Sequence, residues 1–194
     1  MKTIVLSLVL VCLVCGSALA YDRTLISEQA EVGGFIAATA RYFDFNDEAG
    51  ILAGGRVAMV VNHLLSVGLG GYGTALKPSP DGLPGLDDIE IAYGGLFLEF
   101  TLKPHSVFHI SVPVLVGGGQ TSFTGSYVDP ETGDDSDTFV VVEPEFNLEF
   151  NVTRNWRLDL GVGYRHVNGT GFAEVSDEDQ SGTNWALTMK FGAF

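Results

Sequence analysis

Apolar and polar residues alternate with a period of two along most of this chain. From Val140 to Val152 every even position is apolar, and from Glu143 onward the odd positions are Glu143, Glu145, Asn147, Glu149 and Asn151. Trp156, Leu158, Leu160, Val162 and Tyr164 repeat the pattern against Arg157, Asp159, Gly161 and Gly163. Phe108, Ile110, Val112, Val114 and Val116 form a third apolar comb; Trp185, Leu187, Met189 and Phe191 form a fourth. A period of two is strand spacing, because successive side chains of an extended chain point to opposite faces. The pattern predicts eight strands, at 32–43, 50–61, 65–76, 89–102, 107–123, 138–152, 156–169 and 183–193.

The links between these strands alternate in kind. Those at 62–64, 103–106 and 153–155 are short, whereas 44–49, 77–88, 124–137 and 170–182 are mostly long, acidic and rich in Gly and Pro. An even strand number with short turns on one side and long loops on the other predicts an all-β fold. Specifically, it predicts an eight-stranded antiparallel up-and-down transmembrane β-barrel. Hydrocarbon offers no hydrogen bonds, so a sheet that crosses it must close and leave no edge. A barrel of eight strands is filled by its own side chains and is not an open pore.

If the apolar combs face lipid, the polar teeth face inward. That inward set holds Arg41, Arg56, Arg157, Arg165 and Lys190 against Glu99, Glu143, Glu145, Glu149 and Asp159. Five positive and five negative charges suit a closed interior, where ions are tolerated only when paired. A soluble sandwich would need a second sheet to cover the same combs, and it does not account for the charge balance.

Composition narrows the class further. With 194 residues the chain holds one domain, or two at most, and 46% hydrophobic against 18% charged residues excludes a disordered protein. A formal charge of −14 excludes a nucleic-acid binder, which needs clustered Lys and Arg. Mean hydropathy is nevertheless positive, as expected of a protein with one greasy and one anionic surface. Met1-Lys2, an apolar run from Ile4 to Val14 and the ending Ala18-Leu19-Ala20 describe a signal peptide over 1–20. Cleavage is expected between Ala20 and Tyr21, leaving a barrel domain over 21–194. The apolar run is shorter than the ~20 residues a spanning helix needs. Cys12 and Cys15 each follow a Val, which argues against a lipoprotein, and both leave with the leader. No disulfide or thiol chemistry is therefore expected.

Several stretches carry a resemblance: Gly54-Gly55-Arg56, Asn62-His63, Gly68 to Gly73, Tyr93-Gly94-Gly95, Glu143-Pro144, Asn151-Val152-Thr153, Tyr164-Arg165 and Lys190 to Phe194. Together they resemble the superfamily of small eight-stranded outer-membrane β-barrels. More narrowly, they resemble a family of bacterial outer-membrane protein β-barrel domains. The resemblance implies an integral protein of the bacterial outer membrane, surrounded by its lipids, lipopolysaccharide included, and inserted by the barrel-assembly machinery. It implies a monomer without cofactor. An aromatic residue near the C-terminus resembles the signal that machinery reads; Phe191 keeps the lipid-facing parity and Phe194 does not.

The sharpest candidate chemistry is His109-Ile110-Ser111 with Glu99. Pairing Leu102 with Phe108 across the turn sets Glu99 opposite Ser111 and diagonal to His109. Ser, His and Glu are the parts of an acyl-transfer site, a nucleophile with a base and an orienting carboxylate. Some outer-membrane lipid A deacylases resemble this in being small barrels with a His-x-Ser pair and a Glu. Here, though, the trio sits at the short-turn end and points into the lumen. A polar cluster that satisfies its own hydrogen bonds is the plainer reading. Asp129, Asp134, Asp135 and Asp137 could collect a divalent cation through oxygen ligands, but their order lacks the EF-hand pattern, so a solvated anionic surface is expected instead. Gly68 to Gly73 leads into no helix that could receive a phosphate; its glycines are expected to make room for Arg56.

Parity also constrains pairing. A three-residue turn at 153–155 aligns Val152 with Trp156, and counting back sets Asn151 opposite Arg157, Glu149 opposite Asp159 and Glu143 opposite Arg165. Two facing carboxylates need a cation, and Lys190 is the nearest inward candidate. Glu143 and Arg165 are expected to form an ion pair. In function, the expectation is a non-enzymatic outer-membrane barrel with a structural or surface-interaction role carried by its acidic loops. The alternatives are a lipid-modifying acyl hydrolase built on Ser111, His109 and Glu99, and a barrel that binds a small ligand or solute at its mouth.

Overall fold

The computed structural model describes residues 30–45, 48–78, 86–125, 136–169 and 177–194. The leader with its Ala20–Tyr21 junction lies outside these residues, as do Asp129, Asp134 and Asp135. Eight strands follow in order: β1 (Val32–Phe45), β2 (Glu48–Val61), β3 (Leu65–Leu76), β4 (Leu86–Leu102), β5 (Phe108–Gly125), β6 (Ser136–Asn151), β7 (Trp156–Asn168) and β8 (Gly182–Ala193). A single helical turn, α1 (Asp177–Gln180), precedes β8. Each strand pairs antiparallel with the next, and β8 closes on β1. No described helix is long and apolar enough to cross a membrane.

The strands run where the period of two places them, and β1, β2, β4, β5, β6 and β8 extend further at the loop end. β1 and β2 pair as far as Phe45↔Glu48, leaving only residues 46 and 47 between them. The first long-side link is therefore short, which corrects the 44–49 assignment. Backbone pairing needs no apolar side chain, so strands can outrun their combs. On the short side, Leu64 N donates to Val61 O at 3.1 Å, with Asn62 and His63 both at positive φ, a type I′ reversal. The β6–β7 register matches the parity count: Asn151↔Arg157 and Glu149↔Asp159. The β4–β5 register does not. Leu102 pairs with Ile110 and Thr101 with Ser111, two residues beyond the expected Leu102–Phe108 alignment. A shift of two keeps every side chain on its face, so parity alone could not detect it.

The outer wall carries exposed Ile36, Leu69, Leu96, Leu98, Phe146, Leu160, Trp185 and Leu187. The lumen is filled in layers. Under the loops lies an apolar layer that includes Phe43, Leu52, Ile89, Ile91, Phe139, Val141 and Val167. At the short turns Phe35, Ala58, Val60 and Phe97 pack with Phe194, whose ring stacks on Phe35 at 5.7 Å. Phe191 points outward beside Trp156. The charged residues occupy the space between these layers.

Candidate functional site: the charged lumen

Ten inward charges were expected, and all ten side chains lie buried in the lumen. They form two clusters and leave one arginine apart. In the cluster toward the loops, Arg41 Nη2 donates to Glu145 Oε2 at 2.6 Å and Arg41 Nη1 pairs with Glu143. Arg56 Nη2 reaches both oxygens of Glu145, at 3.1 and 3.0 Å. The Tyr72 hydroxyl oxygen accepts from Arg56 Nε at 2.5 Å and Arg41 Nη2 at 3.2 Å. The Arg41 guanidinium also lies 4.2 Å above the Tyr72 ring. Glu143 accepts further bonds from the Tyr93 hydroxyl and from Asn184 Nδ2. Two guanidiniums thus face two carboxylates, which suits planar, bidentate recognition.

The cluster toward the short turns is built around one ammonium. Lys190 Nζ lies 2.7 Å from Glu99 Oε2, 2.6 Å from Glu149 Oε2 and 2.9 Å from Asp159 Oδ2. An ammonium has three N–H donors; here they reach both oxygens of Glu99 and Oε2 of Glu149, and Asp159 is held by charge proximity without a hydrogen bond. The opposed Glu149 and Asp159 accordingly share the expected cation. Glu149 Oε1 also accepts from Arg157 Nη1 at 2.8 Å and His109 Nε2 at 2.7 Å. The other ring nitrogen, His109 Nδ1, faces Ser106 O at 3.2 Å. Both partners of the imidazole are acceptors. Glu99, Glu149 and Asp159 bring carboxylate oxygens within 4.8 Å of one another, as a metal site does, but Lys190 already stands at their centre.

Arg165 does not pair with Glu143. Its Nε donates to the main-chain oxygen of Gln180 at 2.9 Å, and its guanidinium lies 4.8 Å above the Phe43 ring. The ladder between β6 and β7 skips Glu143 and Pro144, where proline has no N–H to give, and Glu143 turns across the lumen to Arg41. The equal count of five and five therefore does not mean five ion pairs, because Arg165 stands outside both clusters. Gln180, presented by α1, also accepts from Thr121 Oγ1 on β5 at 2.5 Å. Its two contacts tie the last loop to β5 and β7 above the apolar layer.

The Ser–His–Glu trio is not assembled. Glu99 stands opposite Pro113 and holds Lys190. His109 stands opposite Glu149 and donates to it, away from Ser111. Ser111 lies between Thr101 and Asn147, fully buried, and its Oγ has no hydrogen-bond partner among the described residues. Ser111 thus lacks here both the adjacent base and the solvent access that an acyl-transfer nucleophile uses. A recess of about 350 Å³, lined by Gly73, Thr74, Glu90, Ile91, Ala92, Gln120 and Ser122, includes none of the three. Asp137, the one described member of the acidic set, caps its own strand: Oδ1 accepts from Thr138 N at 2.7 Å. The glycines also act differently from expectation. A Cβ at Gly70 would meet Arg56 only at 3.5 Å, an ordinary contact, whereas one at Gly54 would strike the Tyr72 ring at 2.5 Å. Gly54 lies under the tyrosine of the upper cluster.

Sequence reasoning missed the apolar layer, Tyr72, Tyr93 and Asn184. A signal was present: Phe139 to Val142 is apolar on both faces, as is the run Ile89, Ile91, Ala92, Tyr93, and a strand apolar on both faces has an apolar interior neighbour.

No family model matches the chain, and no curated protein matches it. Among solved structures it is similar to the N-terminal β-barrel domain of Pseudomonas aeruginosa OprF, at 13% identity and a TM-score of 0.54, over 84% of this chain and 99% of that one. It is also similar to Neisserial surface protein A, at 14% identity and a TM-score of 0.57, over 86% and 99% of the two chains. The fold is that of the small eight-stranded outer-membrane β-barrels.

Proposed function

We propose that this chain is an integral outer-membrane protein whose barrel is a sealed support and whose long acidic loops make its external contacts. The observation that carries this reading is the filled lumen. A path for solute would have to cross an apolar layer under the loops, two ion-paired clusters and an aromatic layer at the short turns. The outward apolar wall supports membrane residence, because in water it would be a large exposed greasy surface. An acyl hydrolase is disfavoured by the separation of Ser111 from His109 and Glu99.

The four long-side links should face the cell exterior and the three short turns the periplasm, with both termini periplasmic. Two measurements test this together. The purified protein in liposomes should pass no small sugar, and protease added to intact cells should cut within 124–137 or 170–182. Solute flux, or cleavage only after the outer membrane is opened, would overturn the reading. Lipid A mass spectra with and without the protein should be identical.

A further inference from the structure

The outer wall holds a recess of about 350 Å³ toward the loops, lined by Gly73, Thr74, Ala92, Gln120 and Ser122 among others. Ladder pairs place the outward residues of β3, β4 and β5 in rows. Leu69, Leu96 and Val116 form a row of exposed apolar side chains. The next row toward the loops is Gly71, Gly94 and Gly118, and the one after it is Gly73, Ala92 and Gln120. Above them stand Glu90 and Ser122. The wall therefore drops from large apolar side chains to bare backbone and then turns polar. The ladder between β3 and β4 ends at Gly73↔Ala92. Beyond it the Thr74 hydroxyl bridges the strands, accepting from Ile91 N at 2.8 Å and donating to Ile91 O at 3.1 Å. A Cβ at Gly73 would meet nothing within 4 Å, so packing within the barrel does not demand glycine there.

We propose that this recess seats one lipid of the surrounding membrane, its first chain carbons over the glycine rows and a hydroxyl-bearing head group against Glu90, Gln120 and Ser122. The inference rests on the membrane residence proposed above. Where a lipid-facing wall turns from apolar to polar, whatever fills a recess must itself be amphipathic. The volume falls in the range of roughly 300–1,000 Å³ that small-ligand pockets occupy. The rim sets the chemistry of the head group. The Glu90 carboxylate is half exposed, and its pairing with Lys77 uses Oε1. The exposed Gln120 amide spends its nitrogen on Ser122 Oγ, at 3.1 Å. What the rim still offers is mainly acceptor oxygens, with the Ser122 hydroxyl as a donor. Sugar hydroxyls both donate and accept, and so match this set. A choline head group has no donor to give, and its phosphate would meet the Glu90 carboxylate.

The test uses the full barrel in vesicles of equimolar glucosyl diacylglycerol and phosphatidylcholine, released in mild detergent for native mass spectrometry. The parent should retain one glucosyl lipid in preference to phosphatidylcholine. Gly73→Leu, whose side chain enters the recess, should abolish retention. The open space at that Cβ keeps the fold, which unboiled gel mobility verifies. Gln120→Leu and Glu90→Leu should each weaken retention about fivefold, as loss of one hydrogen bond does. Leu160→Ala, on the exposed wall of β7, should leave it unchanged. No retained lipid, equal retention in Gly73→Leu, no preference between the two lipids, or a second copy of the chain in the lipid's place would overturn the proposal alone. A barrel recovered without detergent would overturn the membrane reading and the proposal together.

Discussion

The two clusters in the lumen solve the same problem with different cations. Toward the loops, two guanidiniums spread their donors over Glu143, Glu145 and Tyr72, and each carboxylate there has at least two donors. Toward the short turns, one ammonium carries Glu99, Glu149 and Asp159 at once. The upper arrangement is distributed and the lower one is centralised. Removing one cation above leaves every acid with a donor, whereas removing Lys190 leaves Glu99 and Asp159 with no ion-pair partner among the described residues.

That asymmetry ranks the expected effects. Lys190→Met should be the most damaging change, at or above the 3–5 kcal/mol typical of breaking a buried pair. The variant should refold poorly and lose its compact band on unboiled gels at much lower urea than the parent. Arg41→Met should cost about 3 kcal/mol, because Arg56 still holds Glu145, and Tyr93 and Asn184 still hold Glu143. Equal losses in urea titrations would show that the lower cluster is not centralised.

A coupling measurement sharpens the comparison at the upper cluster. Arg41→Ala with Glu143→Ala should show an interaction energy of about 0.5–3 kcal/mol, as residues in contact do. Arg165→Ala with Glu143→Ala should be additive within about 0.5 kcal/mol. The reverse result would restore the Glu143–Arg165 pair that parity alone suggests.

That pair marks the boundary of what the chain reveals before folding. The strand periods and the inward face follow from parity, because a one-residue slip exposes every charge to lipid, and the β6–β7 register follows from parity together with the three-residue turn at 153–155. Lys190 beside Glu149 and Asp159 followed from the same count, since facing carboxylates demand a cation. Contacts across the lumen do not follow. Arg41 meets Glu143 over a separation of 102 positions because closure and strand tilt bring β1 opposite β6, and no local pattern encodes that tilt. The β4–β5 register slipped by two for a related reason. The turn residues after Leu102 determine it, and both alignments keep the combs intact.

A smaller effect tests the bond from His109 to Glu149. His109→Gln replaces a ring that reaches Glu149 Oε1 and Ser106 O from its two nitrogens with one amide that cannot span both. The expected loss is about 1.5–3 kcal/mol, the range for hydrogen bonds to charged groups. No loss in urea titrations would mean that the imidazole contributes nothing to holding Glu149.

The smallest expected effect is the most informative about chemistry. Ser111 and His109 are two residues apart on β5 and both buried, yet one is bonded and the other is not. Ser111→Ala removes a hydroxyl that has no partner, so nothing is stranded by its loss. Stability should change by no more than about 0.5 kcal/mol, as at sites where no bonded or packed group is lost. Any change within that range should be a gain, because an unsatisfied buried polar group is itself unfavourable. In an acyl-transfer triad the same substitution would abolish activity while His109→Gln did likewise, since nucleophile and base act as one unit. The structure separates them: His109→Gln should lower stability, Ser111→Ala should not, and the lipid A of cells expressing either variant should match that of the parent. Parallel loss of a lipid-modifying activity in both variants would mean that Ser111 and His109 meet in a state of the barrel unlike this one.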